Sequence, residues 1–175
     1  MMGSTATLMR VLALAGGVLL GSPGASLVAA AQPPTVGGIE RVKLGADGVV
    51  VAAKLDTGAD TSSLRVENIR REKRVDGDWV AFEVVSVSGE TVRFEQKVVR
   101  TARIKRDGGP AARRPTVVIG ICLGDVYQLT EVNLADRDRF KYPMLLGRSF
   151  LVNRFTVDPA RSYTVEPGCK PARAR

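Results

Sequence analysis

The chain predicts an all-β fold, and three observations carry that prediction. Apolar and β-branched residues cluster in short runs bounded by Gly, Pro, Asp or Ser, the punctuation of strands and turns. Val92, Phe94, Gln96 and Val98 alternate with Thr91, Arg93, Glu95 and Lys97, the period of a half-buried strand. Helical 3.6-residue periodicity is almost absent. At 175 residues the chain has material for one core, most simply in one domain.

The elements follow in order. Residues 1–31 read as an export signal: Arg10, an apolar stretch over 11–21, the break Ser22-Pro23-Gly24, and an A-x-A cleavage site at Ala29-Ala30-Ala31. The apolar stretch is short for a membrane span. A mature protein beginning near Gln32, after cleavage near Ala31, is therefore expected to be periplasmic or secreted. Residues 32–38, with two prolines and two glycines, read as a linker, and the domain is expected over 39–166. Segments 39–44 and 49–55 form a hairpin across Gly45-Ala46-Asp47-Gly48. Thr61-Ser62-Ser63 reads as turn chemistry rather than strand. Segments 79–87 and 90–99 form a second hairpin turning at Ser88-Gly89. Residues 115–123, largely apolar, predict a strand buried on both faces, with 126–134 pairing back across Gly124-Asp125. Residues 105–114, containing Gly108-Gly109-Pro110, read as an exposed loop, and one short helix is expected around 149–153. Residues 167–175 read as a basic disordered tail.

Composition narrows the chemistry. The chain has no histidine, which removes Ser-His-Asp and Cys-His catalysis, histidine bases and nearly all ordinary zinc sites. Acid-base work falls to Asp, Glu, Lys, Tyr or Cys. No G-x-x-x-x-G-K-[ST] phosphate loop occurs, and no cofactor is expected.

Two landmarks stand out. The strand over 49–55 runs into Asp56-Thr57-Gly58-Ala59-Asp60, so the Asp56 carboxylate sits where a buried strand breaks open beside a residue without a Cβ. Later, Pro143-Met144-Leu145-Leu146-Gly147-Arg148 is a second apolar run that ends on glycine, followed by a cation. Together these resemble the retropepsin-like aspartic proteases, whose chains carry D-T-G-A-D early and a hydrophobic-hydrophobic-Gly-Arg segment near the end. Lys54-Leu55, Thr61-Ser62-Ser63-Leu64, Arg114-Pro115 and Tyr142 narrow the resemblance to the bacterial branch often labelled ATP-dependent zinc protease. It runs from about Val42 to Tyr163.

The resemblance implies a retropepsin-like closed β-barrel with one short C-terminal helix, an aspartic endopeptidase activity and a protein or peptide substrate. Asp56 is implied as the catalytic aspartate, Thr57 and Gly58 as support of the active-site loop, and Gly58 as offering its carbonyl to the substrate. Asp60 and Arg148 are implied as substrate-binding or as a structural ion pair; Leu145, Leu146 and Gly147 are the hydrophobic-Gly motif. Two carboxylates at hydrogen-bonding distance share a proton, one acting as base on water and the other as acid toward the scissile carbonyl. One Asp-Thr-Gly per chain then requires a second copy, hence a twofold homodimer. A flap must cover the substrate, and the hairpin over 79–99, with its tip at 86–90, is the candidate beside the Asp76-Gly77-Asp78 turn. The residues do not support the branch label: nothing here forms a zinc cluster or an ATP motif. Members of that family are often encoded near ATP-grasp amino-acid ligases, an analogy pointing to a shared peptide-like substrate.

Cys122 and Cys169 leave two readings open, one disulfide tying the tail to the sheet or an inert buried thiol at Cys122. The net charge is +8, and Arg10 is the one charge in residues 1–31, so the chain without that segment carries +7. The charge concentrates in Arg70-Arg71-Glu72-Lys73-Arg74, over 103–114 and over 170–175. Such runs are usually solvated faces, and they also suit an anionic envelope surface or acidic peptides. Aromatics are not interleaved with them, so nucleic acid is not an expected partner. The leading function is thus an exported aspartic endopeptidase. The alternatives are a non-catalytic peptide-binding module of the same fold at the cell envelope, and a basic envelope-associated scaffold.

Overall fold

A computed structural model describes residues 32–45, 48–106, 109–135 and 141–169. The expected signal segment, 1–31, and the tail beyond Cys169 lie outside the described residues.

Ten strands and one short helix make up the described chain: β1 (Thr35–Leu44), β2 (Val49–Leu55), β3 (Ser62–Arg65), β4 (Glu67–Arg74), β5 (Gly77–Val85), β6 (Thr91–Arg106), β7 (Gly109–Leu123), β8 (Val126–Ala135), β9 (Met144–Leu146), α1 (Arg148–Leu151) and β10 (Thr156–Ser162). The strands form one mixed sheet in the order β10-β1-β2-β9-β3-β8-β7-β6-β5-β4, and β1 also bonds β7. That extra pairing, Lys43 with Cys122 and Leu44 with Ile121, bends the middle strands into a ring. The expected closed barrel thus takes the form of a ringed mixed sheet, from which β6, β5 and β4 continue as an antiparallel lobe.

Alternation decides what faces inward. Along β2, Val49, Val51, Ala53 and Leu55 are buried, whereas Lys54 points outward. Val42, Leu44, Val117, Ile121, Leu134 and Leu146 meet them to fill the ring. In the lobe, Val80, Phe82 and Val84 face inward, and Phe82 stacks on Phe94 with centroids 5.5 Å apart. The alternation expected for β6 holds, with Phe94 buried and Arg93, Glu95 and Lys97 exposed. Residues 115–123 are buried almost throughout, as their apolar run predicts.

Four segments differ from the sequence expectation. Thr35 to Gly38 is strand rather than linker, because it pairs in parallel with β10 and buries Val36. Thr61-Ser62-Ser63 does not stay a turn: β3 begins at Ser62 and is held between β8 and β9. The loop expected over 105–114 is mostly ladder, with β6 running to Arg106 and β7 beginning at Gly109. Its pairs include Arg103 opposite Arg113, a like-charge pairing that argues against a strand when only sequence is in view. The basic run over 70–74 belongs to β4, an edge strand whose exposed charges blunt the unpaired side. There Trp79 donates to Asp76, which lowers that carboxyl below the usual range, and Arg74 bonds Glu95 with the same effect.

The start of the expected tail is also fixed. Gly168 N–H donates to the Gly124 carbonyl at 2.9 Å, and Cys169 is buried in a disulfide with Cys122, 47 residues away. Of the two readings of the cysteines, the disulfide is the one formed. Closing a loop of that size restricts the unfolded chain by about 3–4 kcal/mol. Cys169→Ser is therefore expected to lower the melting temperature by roughly 10 °C, and reducing agent should give the same shift in the parent but none in the variant.

Candidate active site

The site is built at the end of β2. Leu55 pairs with Leu146 of β9, and immediately beyond it the Asp56 N–H donates to the Leu146 carbonyl at 2.8 Å. The six residues 56–61 leave the sheet, and the chain returns as β3. Within that loop Gly58 N–H donates to Asp56 Oδ1 at 3.0 Å, a side-chain-closed turn that orients the carboxylate. The second oxygen, Oδ2, lies 3.5 Å from the Lys54 ammonium, and the Asp56 side chain keeps 28% of its surface exposed. It is a carboxylate held by one backbone donor and one cation, yet open to solvent.

The hydrophobic-Gly motif cradles this loop. Arg148 N–H donates to the Ala59 carbonyl at 2.8 Å and Ser149 N–H to the Asp60 carbonyl at 3.1 Å. Gly147 N–H donates to Ser62 Oγ at 3.2 Å, and Ser62 is fully buried. The Arg148 guanidinium reaches over the loop, donating to the Thr57 and Gly58 carbonyls, each at 3.3 Å, and pairing with Asp60. Asp60 and Arg148 thus form an ion pair that straps the loop. The Gly58 carbonyl, expected to face substrate, already accepts from Arg148. Leu146 is fully buried and anchors the cradle, while Leu145 is half-buried beside Lys54 and Ser63 across the ladder.

Gly147 is where backbone meets backbone. A Cβ there would stand 2.8 Å from the Asp60 oxygen and the Thr61 carbonyl carbon, atoms that no rotamer change can move. Gly147→Ala should displace the loop. Because misplacing a catalytic group by about 1 Å costs on the order of 100-fold, kcat/KM is expected to fall by about that factor while the far-UV circular dichroism stays unchanged.

Thr57 is exposed, and among the described residues its hydroxyl makes no hydrogen bond. On its side of the loop lies a largely apolar cavity of about 260 Å³, lined by Ile39, Lys54, Leu55, Thr57, Val157 and Pro159. On the other side a smaller cavity of about 170 Å³ runs from Thr61 and Ser149 to Leu129 of β8. The tip over 86–90, expected as the flap, is not near the carboxylate. Val87 N–H donates to the Val50 carbonyl at 2.8 Å, which pins the tip to the opposite end of β2, about 20 Å along the strand from Asp56.

Sequence reasoning singled out Asp56, Thr57, Gly58, Asp60, Leu145, Leu146, Gly147 and Arg148, and the fold brings them together. It passed over two contributors. Ser62 accepts from the cradle, a role hidden in a stretch that looks like a turn; Lys54 pairs with Asp56, and its one signal is a cation two residues before the acid in an otherwise apolar strand. Among the described residues no three His, Cys, Asp or Glu side chains converge as metal ligands.

Known proteins share this span of the chain. The family model described as RimB-like, retropepsin-like aspartic endopeptidase RimB, matches residues 35–167. Two relatives, each named "Probable alpha-L-glutamate ligase", are from Shewanella pealeana and Parasynechococcus marenigrum. They are 37% and 33% identical over 116 residues, each alignment covering 65% of this chain and 25% of the relative. The chain therefore spans about a quarter of the length of these curated relatives. A crystal structure of a Legionella pneumophila protein with unknown function (DUF785) superposes with a TM-score of 0.66 at 34% identity, covering 76% of this chain and 98% of that one. With the Asp56 loop, its Arg148 strap and the ringed sheet all inside the matched span, the chain belongs to the RimB-like family of retropepsin-like aspartic endopeptidases.

Proposed function

We propose that this chain is an exported aspartic endopeptidase that hydrolyses acidic peptides in the periplasm or outside the cell, working as a twofold dimer with one Asp56 from each copy. The observation that carries the reading is the Asp56 carboxylate, oriented by Gly58, paired with Lys54 and left accessible on a loop strapped by Arg148. In the reaction the ionised carboxylate takes a proton from water as its oxygen adds to the scissile carbonyl. The protonated Asp56 of the second copy gives its proton to the carbonyl oxygen. Collapse of the resulting diol returns a proton to the leaving amine, and the shared proton is restored.

Three features support the rest. One Asp-Thr-Gly per chain and a Thr57 hydroxyl without a partner favour a second copy at this face. The Cys122–Cys169 disulfide suits an oxidising compartment, in keeping with the signal-like residues 1–31. The net charge of +7 left without residues 1–31 and relatives named for α-L-glutamate ligation favour an anionic peptide, α-linked glutamate chains among them. Cleavage of glutamate-rich peptides is the test. Specific activity is expected to rise with protein concentration until the dimer saturates; activity per molecule that stays constant down to nanomolar protein would refute the shared site.

A further inference from the structure

Lys54 is an odd residue for its place. Its cross-strand neighbours are Ile39 on β1 and Leu145 on β9, both apolar, so neither ladder offers it a counter-charge. Its ion pair with Asp56 is long, at 3.5 Å, and its side chain remains 55% exposed. An ammonium carries three donors, and its contact with Asp56 is a long ion pair that leaves room for a further acceptor. Its side chain lines the cavity between Ile39, Val157 and Pro159, and among the described residues it is the only charged one to do so. Apolar walls with a single cation at the rim, beside the reacting carboxylate, fit a side chain with an aliphatic stem and a terminal carboxylate.

We propose that Lys54 is a specificity-determining residue, whose ammonium takes the carboxylate of a glutamyl side chain next to the scissile bond while the stem of that side chain lies against Ile39, Val157 and Pro159. The inference rests on the peptidase reading above and adds the group that reads the substrate. Lysine's flexible stem lets the ammonium serve Asp56 in the empty site and the substrate carboxylate in the filled one. A counter-ion that served Asp56 alone would affect every substrate alike.

The test compares short fluorogenic peptides identical except for Glu or Gln at each position flanking the cleaved bond. A hydrogen-bonded charge of this kind is worth on the order of tenfold or more in selectivity. The parent protein is expected to prefer Glu by that factor at one flanking position. Lys54→Met should bring the Glu/Gln ratio of kcat/KM close to unity, and Lys54→Arg should restore most of it. Equal loss on both peptides in Lys54→Met, or no Glu preference in the parent, overturns the proposal. Fluorescence anisotropy of the same peptides on Asp56→Asn protein, with and without Lys54→Met, separates the two readings. A Glu preference in binding that disappears with Lys54 upholds this inference even where the parent cuts nothing. Cleavage indifferent to Glu leaves the peptidase reading standing and removes Lys54 from it.

Discussion

Asp56→Asn is expected to lower peptide cleavage by about 10²- to 10⁴-fold, the range lost when a positioned acid-base group is removed. The amide cannot take a proton from water at any working pH, so no pH between acid and neutral should restore activity. The fold should survive the change. Asp56 gives its carboxylate to one backbone donor and one exposed lysine, and a surface ion pair of that kind contributes about 1 kcal/mol or less. The melting temperature is accordingly expected to stay within a few degrees of the parent. Mixing adds a sharper result. If the site is shared between two copies, excess Asp56→Asn protein added to a fixed amount of parent should draw it into inactive heterodimers, and activity should fall toward zero. A site complete within one chain would leave parental activity untouched by the variant.

How much of this was legible before folding depends on how locally each feature is encoded. The period-two pattern over 91–98 and the apolar run over 115–123 are local, and both become the strands they predict. The Asp56 loop and the Leu145-Leu146-Gly147-Arg148 segment are each short, and their pairing was legible through resemblance; the contacts from Arg148 to Thr57 and Gly58, some 90 residues away, were not readable from spacing. Ser62 looks like turn chemistry because its value lies in accepting from Gly147, 85 residues on. The position of the 86–90 tip, one of the two flap candidates, was hidden for a related reason. A hairpin tip carries turn residues wherever it ends up, and only the Val87 to Val50 hydrogen bond reveals which end of β2 it meets.

Glu40 is the extreme case of a residue whose role is set at long range, and its removal is the stability change with the largest expected effect. In the middle of β1 a glutamate reads as an outward charge, yet Glu40 is fully buried. Its carboxylate accepts from Gly37 N–H at 2.6 Å, from Thr164 N–H at 2.9 Å and from Val165 N–H at 3.3 Å, and also from the Thr164 hydroxyl. Nothing in the neighbouring sequence signals Thr164, which lies 124 residues away. A buried carboxylate is tolerable only when donors replace water, and here backbone donors from both ends of the domain do so. Glu40→Ala would leave the Thr164 and Val165 N–H groups and the Thr164 hydroxyl without this acceptor, at about 1–3 kcal/mol for each one stranded, while Gly37 N–H keeps the Thr164 hydroxyl oxygen at 3.1 Å. Partial rehydration softens that sum, and a net loss of about 3–5 kcal/mol is expected, or roughly 10–15 °C in melting temperature. Glu40→Gln keeps the shape but turns an amide N–H₂ toward N–H donors, so about half that loss is expected. Were Glu40 an ordinary strand charge, both variants would melt within a degree or two of the parent. The size of the effect follows from position: this one carboxylate joins β1 to the segment after β10, and the disulfide at Cys169 secures the same segment a few residues later. Combining Glu40→Ala with Cys169→Ser should therefore cost less than the two separate losses added together, because either change alone already frees much of the segment the other holds.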